Sequence, residues 1–286
     1  MGASHVPCEK QISQGDITGT DDRERGLATF PSSLISDMFP SLPQKTLNKI
    51  ISYLSEDDLR SLSLVETRLT DECQGYLFSS PVRIDGKKKF VHWCDATSRR
   101  KDTLLRHVRV LHLRGPLCTP GFLQDHLANF RAFTHVKHLR IEPLDLTEFE
   151  AQGLAQFFGH FSTIRSIYVQ PAGSQVSFIN FLKLFPLLET IVVASPSISK
   201  EQQNEELPTF VYRGNLVLRN SMMSGSKHLD DTENILLCFA QPTAHPRKLV
   251  LESVTVHGFF PLERFLKTCG GSLESLQFIN CTASEC

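Results

Sequence analysis

The chain has 286 residues, of which 41% are hydrophobic and 21% charged, and its 30 Lys and Arg nearly balance 31 Asp and Glu, for a net charge of −1. This length allows one or two domains with a sizeable core. A net charge near zero gives no reason to expect a nucleic-acid partner for the whole chain. The charge is uneven, however, because residues 81–114 carry ten basic and three acidic side chains.

The N-terminus has no basic head followed by an apolar run, so we expect no signal peptide. The most apolar stretch, residues 176–194, contains Lys183, Pro186 and Glu189 and is a poor membrane span. The eight cysteines are spread along the chain without a Cys-x-x-Cys pair, which is typical of reduced thiols. We therefore expect a cytoplasmic or nuclear protein that contacts no membrane.

Residues 1–38 are polar and show little apolar periodicity. Between positions 11 and 26, Ile12 and Ile17 are the large apolar residues. Such a segment buries too little surface to offset its chain entropy, so we predict a disordered tail, with a short helix near residues 33–39.

A helical region is predicted at residues 39–79. Its first helix is expected to open at Leu42 and Pro43, because proline is tolerated in the first turn of a helix. Apolar residues then recur at the spacing of one helix face, and they are Leu47, Ile50, Ile51 and Leu54.

A second helix is predicted to begin at Ser55, where Asp58 three residues later gives the pattern of a capping box. Leu59 and Leu62 lie on one side of this helix, whereas Leu64 lies about 200° round from Leu62. The helix is therefore apolar on two sides. One side can serve its own core, and the other must meet something else.

Residues 80–286 contain a repeat. An apolar-x-apolar segment recurs eight times at intervals of 24 to 33 residues. The copies begin at Val82, Leu111, Leu139, Ile167, Ile191, Leu216, Leu249 and Leu276. Amphipathic helical stretches are predicted between most copies, at residues 90–106, 121–133, 148–161, 176–185, 230–239 and 259–269. Residues 195–210 form the least regular link.

One strand and one helix per unit at this period predict an α/β solenoid of the leucine-rich-repeat kind, with about eight units. The two apolar residues of each strand are expected to face the helices, and the x residue to face outward on a concave sheet. The alternative is a doubly wound α/β domain, which also alternates strand and helix. The number of similar units, with no Gly-rich loop after a strand, favours the solenoid. The last predicted strand is expected to leave an exposed apolar end, to be covered by another copy or by further sequence.

The run from Leu42 to Val65 resembles an F-box. Its Leu-Pro start, Tyr-Leu and Asp-Leu steps and final Leu-Ser-Leu-Val stand at the intervals of that family. It departs from the family at residues 44–46, where an acidic residue, Glu and Leu are more usual, and at Glu66 and Leu69. The layout of an F-box followed by irregular strand-helix repeats resembles the F-box/leucine-rich-repeat class common in fungi.

The resemblance implies a fold and a function. The fold is a three-helix F-box at residues 39–79, followed by the solenoid. The F-box would dock a Skp-family adaptor of an SCF-type cullin–RING ubiquitin ligase, and the repeats would bind a protein substrate. The chain would be a non-catalytic subunit without cofactor. The alternative is a scaffold, outside any ligase, with an F-box-like helical cap.

Seven residues are expected to build or fill the adaptor interface. They are Leu42, Pro43, Ile50, Leu54, Leu59, Leu62 and Val65. For Ile50, Leu54 and Val65 the alternative is the core of the helical bundle. For Pro43 and Leu59 the interface is favoured.

The outward positions of the first strands are mainly cationic. Arg83, Arg114 and Arg140 suit bidentate contacts to phosphate or carboxylate, with His112 beside them and Tyr168 as an amphipathic anchor. We therefore expect an acidic or phosphorylated segment of a protein substrate here. The alternative is a solvated polar face with no fixed partner.

Catalytic and metal motifs are absent from the sequence. There is no Gly-x-Ser-x-Gly, Walker loop or His-Glu-x-x-His, and His and Cys occur in pairs rather than in sets of three or four. We expect no metal and no cofactor. An enzyme in an α/β fold remains a third option, which would need a polar pocket at the carboxyl ends of the strands.

Overall fold

The structure is a computed structural model that describes residues 42–65, 69–78, 81–98, 105–115, 126–130, 133–147, 154–199, 207–220, 222–223, 231–256 and 260–283. The predicted tail at residues 1–38 and the predicted short helix at residues 33–39 lie outside these ranges.

Three short helices open the described chain: α1 (Gln44–Ile51), α2 (Glu56–Val65) and α3 (Thr70–Leu77). The capping box at the start of α2 is confirmed. The Ser55 N–H donates to Asp58 Oδ2 at 3.3 Å, and the Asp58 N–H donates to Ser55 Oγ at 3.2 Å. The core among these helices contains Leu47, Ile51, Leu59, Leu69 and Cys73, all buried.

The eight predicted strand segments all lie in strands of one parallel sheet. In spatial order the strands are β1 (Val82–Asp85), β2 (Val110–Arg114), β3 (His138–Asp145), β4 (Ser166–Ser174), β5 (Thr190–Ala194), β7 (Asn215–Arg219), β9 (Lys248–Glu252) and β11 (Ser275–Ile279). A short β6 (Ser197–Ser199) adds to the end of β4. Because these eight strands follow chain order without a switch point, the arrangement is that of a solenoid rather than of a doubly wound sheet.

Three two-residue strands lie outside this sheet and pair in parallel with one another: β8 (Met222–Met223), β10 (Thr255–Val256) and β12 (Thr282–Ala283). Each follows one of the last strands of the main sheet. The repeats are therefore stacked through two ladders at this end.

Helices occupy the links between strands. They are α4 (Gly86–Ser98), α5 (Leu127–Phe130), α6 (Leu154–Phe158), α7 (Gln175–Lys183), α8 (Asp231–Phe239) and α9 (Phe260–Cys269). Each overlaps a predicted helical stretch. In the irregular link at residues 195–210, the described residues form β6 and no helix.

Phenylalanine rings join successive repeats between the sheet and the helices. The rings of Phe90, Phe130, Phe157, Phe158 and Phe181 form a continuous series, with centroid distances of 4.7, 4.7, 4.8 and 5.1 Å. All five are at most 1% exposed. We call this series the phenylalanine ladder. It fills the irregular inter-repeat space with large side chains, which bury more apolar surface per residue than leucine.

A left-handed residue follows six of the eight main strands. These residues are Gly86, Gly115, Ser195, Asn220, Ser253 and Asn280, with φ between 40° and 79°. Glycine and asparagine are the residues that adopt this conformation most readily. The N–H of Asn220 donates to Glu252 O at 3.0 Å, and that of Ser253 to Ile279 O at 2.8 Å, so these turns extend the ladder between repeats.

The last strand of the main sheet is exposed. Leu276 and Phe278 of β11 stand in register with the buried Leu249 and Leu251, yet they are 36% and 49% exposed. This confirms the expected apolar end.

Candidate binding surfaces

The three N-terminal helices carry large apolar side chains on their surface. Tyr53 is 78% exposed, Leu64 76% and Tyr76 38%. Leu64 lies on the side of α2 that the sequence predicted to be left over. The helical region therefore keeps apolar surface outside its own core.

The seven predicted adaptor residues are divided between core and surface. Pro43 is exposed, and Leu59 is buried with 7% of its surface accessible. Val65 ends α2, and its side chain lies outside the described residues. The other four are half-buried: Leu42, Ile50, Leu54 and Leu62. On α2 the sequence favoured Leu59 for the interface, and the structure instead places Leu59 in the core and Leu64 at the surface.

A second surface is the face of the main sheet opposite the helices, which we call the open face. The x residues of the eight strands form its middle row, because the strands pair in register. In order the row is Arg83, His112, Arg140, Tyr168, Val192, Val217, Val250 and Gln277. The predicted outward positions thus lie side by side.

A charged network centres on Glu142. Its carboxylate accepts a hydrogen bond from Arg140 Nε at 2.7 Å and lies 3.3 Å from His112 Nε2. The Arg140 guanidinium sits 4.1 Å from the centroid of the Tyr168 ring, within cation–π range. Four of the five side chains that the sequence singled out or flanked are therefore in contact.

The network shifts the pKa values of its members. Burial and the nearby Arg140 charge lower the pKa of His112, although Glu142 opposes them. Burial alone would raise the pKa of Glu142, but the hydrogen bond and charge of Arg140 outweigh it and the pKa falls. Burial and the Glu142 charge raise the pKa of Tyr168. At neutral pH, His112 is therefore a neutral imidazole beside an ionised carboxylate.

We expect His112 to make stability depend on pH. Since its pKa is lowered on folding, the unfolded chain takes up a proton first as the pH falls below about 6.5, and the free energy of unfolding decreases. The His112→Gln variant should lose less stability than the wild type between about pH 7.5 and pH 5.5, measured by urea denaturation. His138→Gln, at an exposed position of the same face, is the control. An equal loss in wild type and His112→Gln would contradict the role given to His112.

A second ion pair lies further along the open face. Arg219 donates from Nε and Nη2 to Glu252 Oε2 at 2.9 and 2.6 Å. Its guanidinium is 6.0 Å from the Tyr168 ring. The charges of Arg140 and Arg219 are thus each matched by a carboxylate on the same face.

Arg83 and Arg114 differ from those two arginines. Both are exposed, and neither forms an ion pair or side-chain hydrogen bond with another described residue. Asp85 stands opposite Arg114 in register, but its carboxylate pairs with Lys89 Nζ at 3.5 Å. Unmatched positive charge on the open face is therefore concentrated on β1 and β2.

The sequence analysis missed the aliphatic part of this face. Val192 and Val217 are half-buried and Val250 is 6% exposed, yet all three alternate with residues of the helix-side core. The signal was present, since these three repeats have an apolar residue at the x position.

Other features give no sign of catalysis. An open groove of about 490 Å³ is lined by Arg213, His245, Arg247 and Glu274 among others, and Arg247 pairs with Glu274 at 3.8 Å. Within the described ranges, no group of three or more His, Cys, Asp or Glu is placed to hold a metal ion. None of the described helices has the length and apolar character to cross a bilayer. Comparisons with protein-family models and with curated proteins gave no match.

Proposed function

We propose that the chain is the substrate-recognition subunit of an SCF-type cullin–RING ubiquitin ligase. Helices α1–α3 act as the F-box that docks a Skp-family adaptor, and the repeats bind the protein substrate. The observation that supports this most is Leu64, an exposed leucine on a helix whose other apolar side is buried, within a segment that resembles an F-box.

The energetics of the helical region favour a partner. A region of three short helices has a small core, and small domains bury too little surface to be robust alone. Each apolar anchor that is fully buried by a partner contributes roughly 1.5–3 kcal/mol before ordering costs. Tyr53 and Leu64 are large apolar residues with most of their surface still in water, so a docking partner gains both.

The proposed division of labour needs no catalytic group in this chain. The adaptor connects the complex to the subunits that carry ubiquitin, and this chain supplies proximity to the substrate. The open face is the proposed substrate surface, because its eight strands present a row of side chains that no helix of the chain covers.

Adaptor binding tests the proposal. Pro43→Ala combined with Leu64→Asp should reduce affinity for a purified Skp-family adaptor by about tenfold or more, because one apolar anchor is replaced by a charge. The measurement is co-purification followed by a binding isotherm. Both positions are exposed, so circular dichroism should show an unchanged fold.

The matched control is Leu187→Asp. Leu187 is 53% exposed in the repeat region and outside the helices, so the same substitution should leave adaptor binding intact. Undiminished binding by the Pro43→Ala, Leu64→Asp variant would overturn the assignment of α1–α3.

One observation favours a second candidate, in which the helices only cap the solenoid. Arg106, just before β2, pairs with Asp71 of α3, and Phe78 packs against the core of the repeats. A cap of this kind covers the first repeat without any adaptor. A folded wild-type chain that binds no Skp-family adaptor in the same assay would support the cap.

A further inference from the structure

The middle row of the open face changes character halfway along the sheet. Its first four positions are Arg83, His112, Arg140 and Tyr168, and its next three are valines. A purely solvated face has no reason to place three valines in adjacent strands. The row therefore has a cationic half on β1–β4 and an aliphatic half on β5, β7 and β9.

The cationic half holds charge available to a ligand. Arg140 is held by Glu142, whereas Arg83 and Arg114 are exposed and pair with no described residue. Two guanidinium groups on neighbouring strands suit a phosphate or a carboxylate, each of which accepts paired hydrogen bonds. The anion subsite is therefore at β1 and β2.

The aliphatic half lies on the side of the sheet away from the helices. Val192 and Val217 retain partial exposure, and no helix of the chain packs on their face. Burying them against a ligand side chain releases water from apolar surface, which favours binding. The apolar subsite is therefore at β5 and β7.

Strand spacing sets the distance between the two subsites. Three strand steps separate β2 from β5 and four separate β2 from β7, which gives about 14 to 19 Å at roughly 4.8 Å per step. An extended chain covers about 3.3 Å per residue, so this distance corresponds to about four to six residues. Between the subsites, the Tyr168 ring with Arg140 against it provides a flat contact for the intervening backbone.

We propose that the open face binds an extended peptide segment with an anionic side chain on Arg83 and Arg114 and an aliphatic side chain on Val192 and Val217, about four to six residues apart. This inference rests on the proposed function and names the chemistry of its substrate. The anion is a phosphorylated serine or threonine, or a plain carboxylate, and charge complementarity with the two unmatched arginines identifies it.

The test uses fluorescein-labelled peptides of Ala and Gly that contain one phosphoserine and one leucine. The spacing between these two residues varies from about two to nine positions, and binding to the full chain is followed by anisotropy. Parallel peptides carry aspartate or serine in place of phosphoserine. We expect the tightest binding at spacings of four to six, with the serine peptides weakest by about tenfold or more.

Two variants assign the subsites. Arg83→Glu with Arg114→Glu should reduce binding of the phosphoserine peptide by about tenfold or more. Val192→Ser with Val217→Ser should remove the advantage of leucine over serine in the peptide. The matched control, Lys183→Glu with Arg264→Glu, changes net charge equally at exposed helical positions and should leave binding unchanged.

Three results would overturn the proposal. They are absence of binding by every peptide at about 1 mM, equal binding at all spacings, and equal loss in the arginine variant and its control. Failure here is separable from failure of the proposed function. The arginine variant should still bind the Skp-family adaptor, and the Pro43→Ala, Leu64→Asp variant should still bind the peptide.

Discussion

Replacing Phe158 by alanine is expected to lower the free energy of unfolding of the repeat region by about 3–5 kcal/mol. Phe158 is fully buried, and its ring lies 4.8 Å from that of Phe157 and 5.1 Å from that of Phe181. The substitution removes apolar contacts, leaves a cavity and breaks the phenylalanine ladder between the second and third helix links after α4. Ring pairs add about 0.5–1.5 kcal/mol beyond their buried area.

Urea denaturation monitored by circular dichroism measures this loss. The control is Phe278→Ala, which removes the same side chain from an exposed position of β11 and should cost less than about 1 kcal/mol. Similar losses at both positions would mean that the ladder does not carry the stability assigned to it, or that Phe278 is covered in solution.

The strands could be predicted from the sequence because their signal is local. Each strand has two apolar residues on the helix side, and a one-residue shift would turn both into water. Burial therefore fixes the register, and all eight predicted segments became strands. Their order followed from the repeat period, because stacked units place each strand beside the next one in the chain.

The turns could have been predicted but were not. The analysis looked for the asparagine of regular repeats and found it absent at most turns. The structure shows that the requirement is a positive φ directly after the strand, which Gly86, Gly115, Asn220 and Asn280 meet, with serine at two further turns. Proline stands at this position in the remaining two repeats, as Pro143 and Pro171. Since proline fixes φ near −65°, β3 and β4 run on instead of turning there.

The binding surfaces were predicted in part, because exposure and pairing depend on contacts distant in sequence. The pattern showed that α2 has two apolar sides, yet only the packed structure shows that Leu59 is inside and Leu64 outside. The pattern also marked Arg140 as a ligand contact. Glu142 neutralises Arg140 across the same face, so the available charge falls to Arg83 and Arg114, a distinction that residue types alone do not make.

Asn234 shows how side chains replace regular structure in the irregular link before β7. It is 4% exposed on α8, and its Nδ2 donates to Ile198 O in β6 at 2.7 Å. Its own carbonyl accepts from Gln175 Nε2 of α7 at 2.8 Å. These bonds tie three elements together where the predicted helix did not form.

Asn234→Asp is therefore expected to cost about 3–5 kcal/mol at neutral pH, because it places a buried carboxylate oxygen against a carbonyl oxygen. Burial raises the pKa of such a carboxyl above its unfolded value of about 3.9, so the cost should shrink as the pH falls toward that value. The protonated carboxyl can then donate to Ile198 O. Urea denaturation at about pH 7.5 and pH 4.5, each relative to wild type, measures both effects. Asn220→Asp, at an exposed turn, should show neither, and a cost at position 234 that does not change with pH would contradict the assigned hydrogen bond.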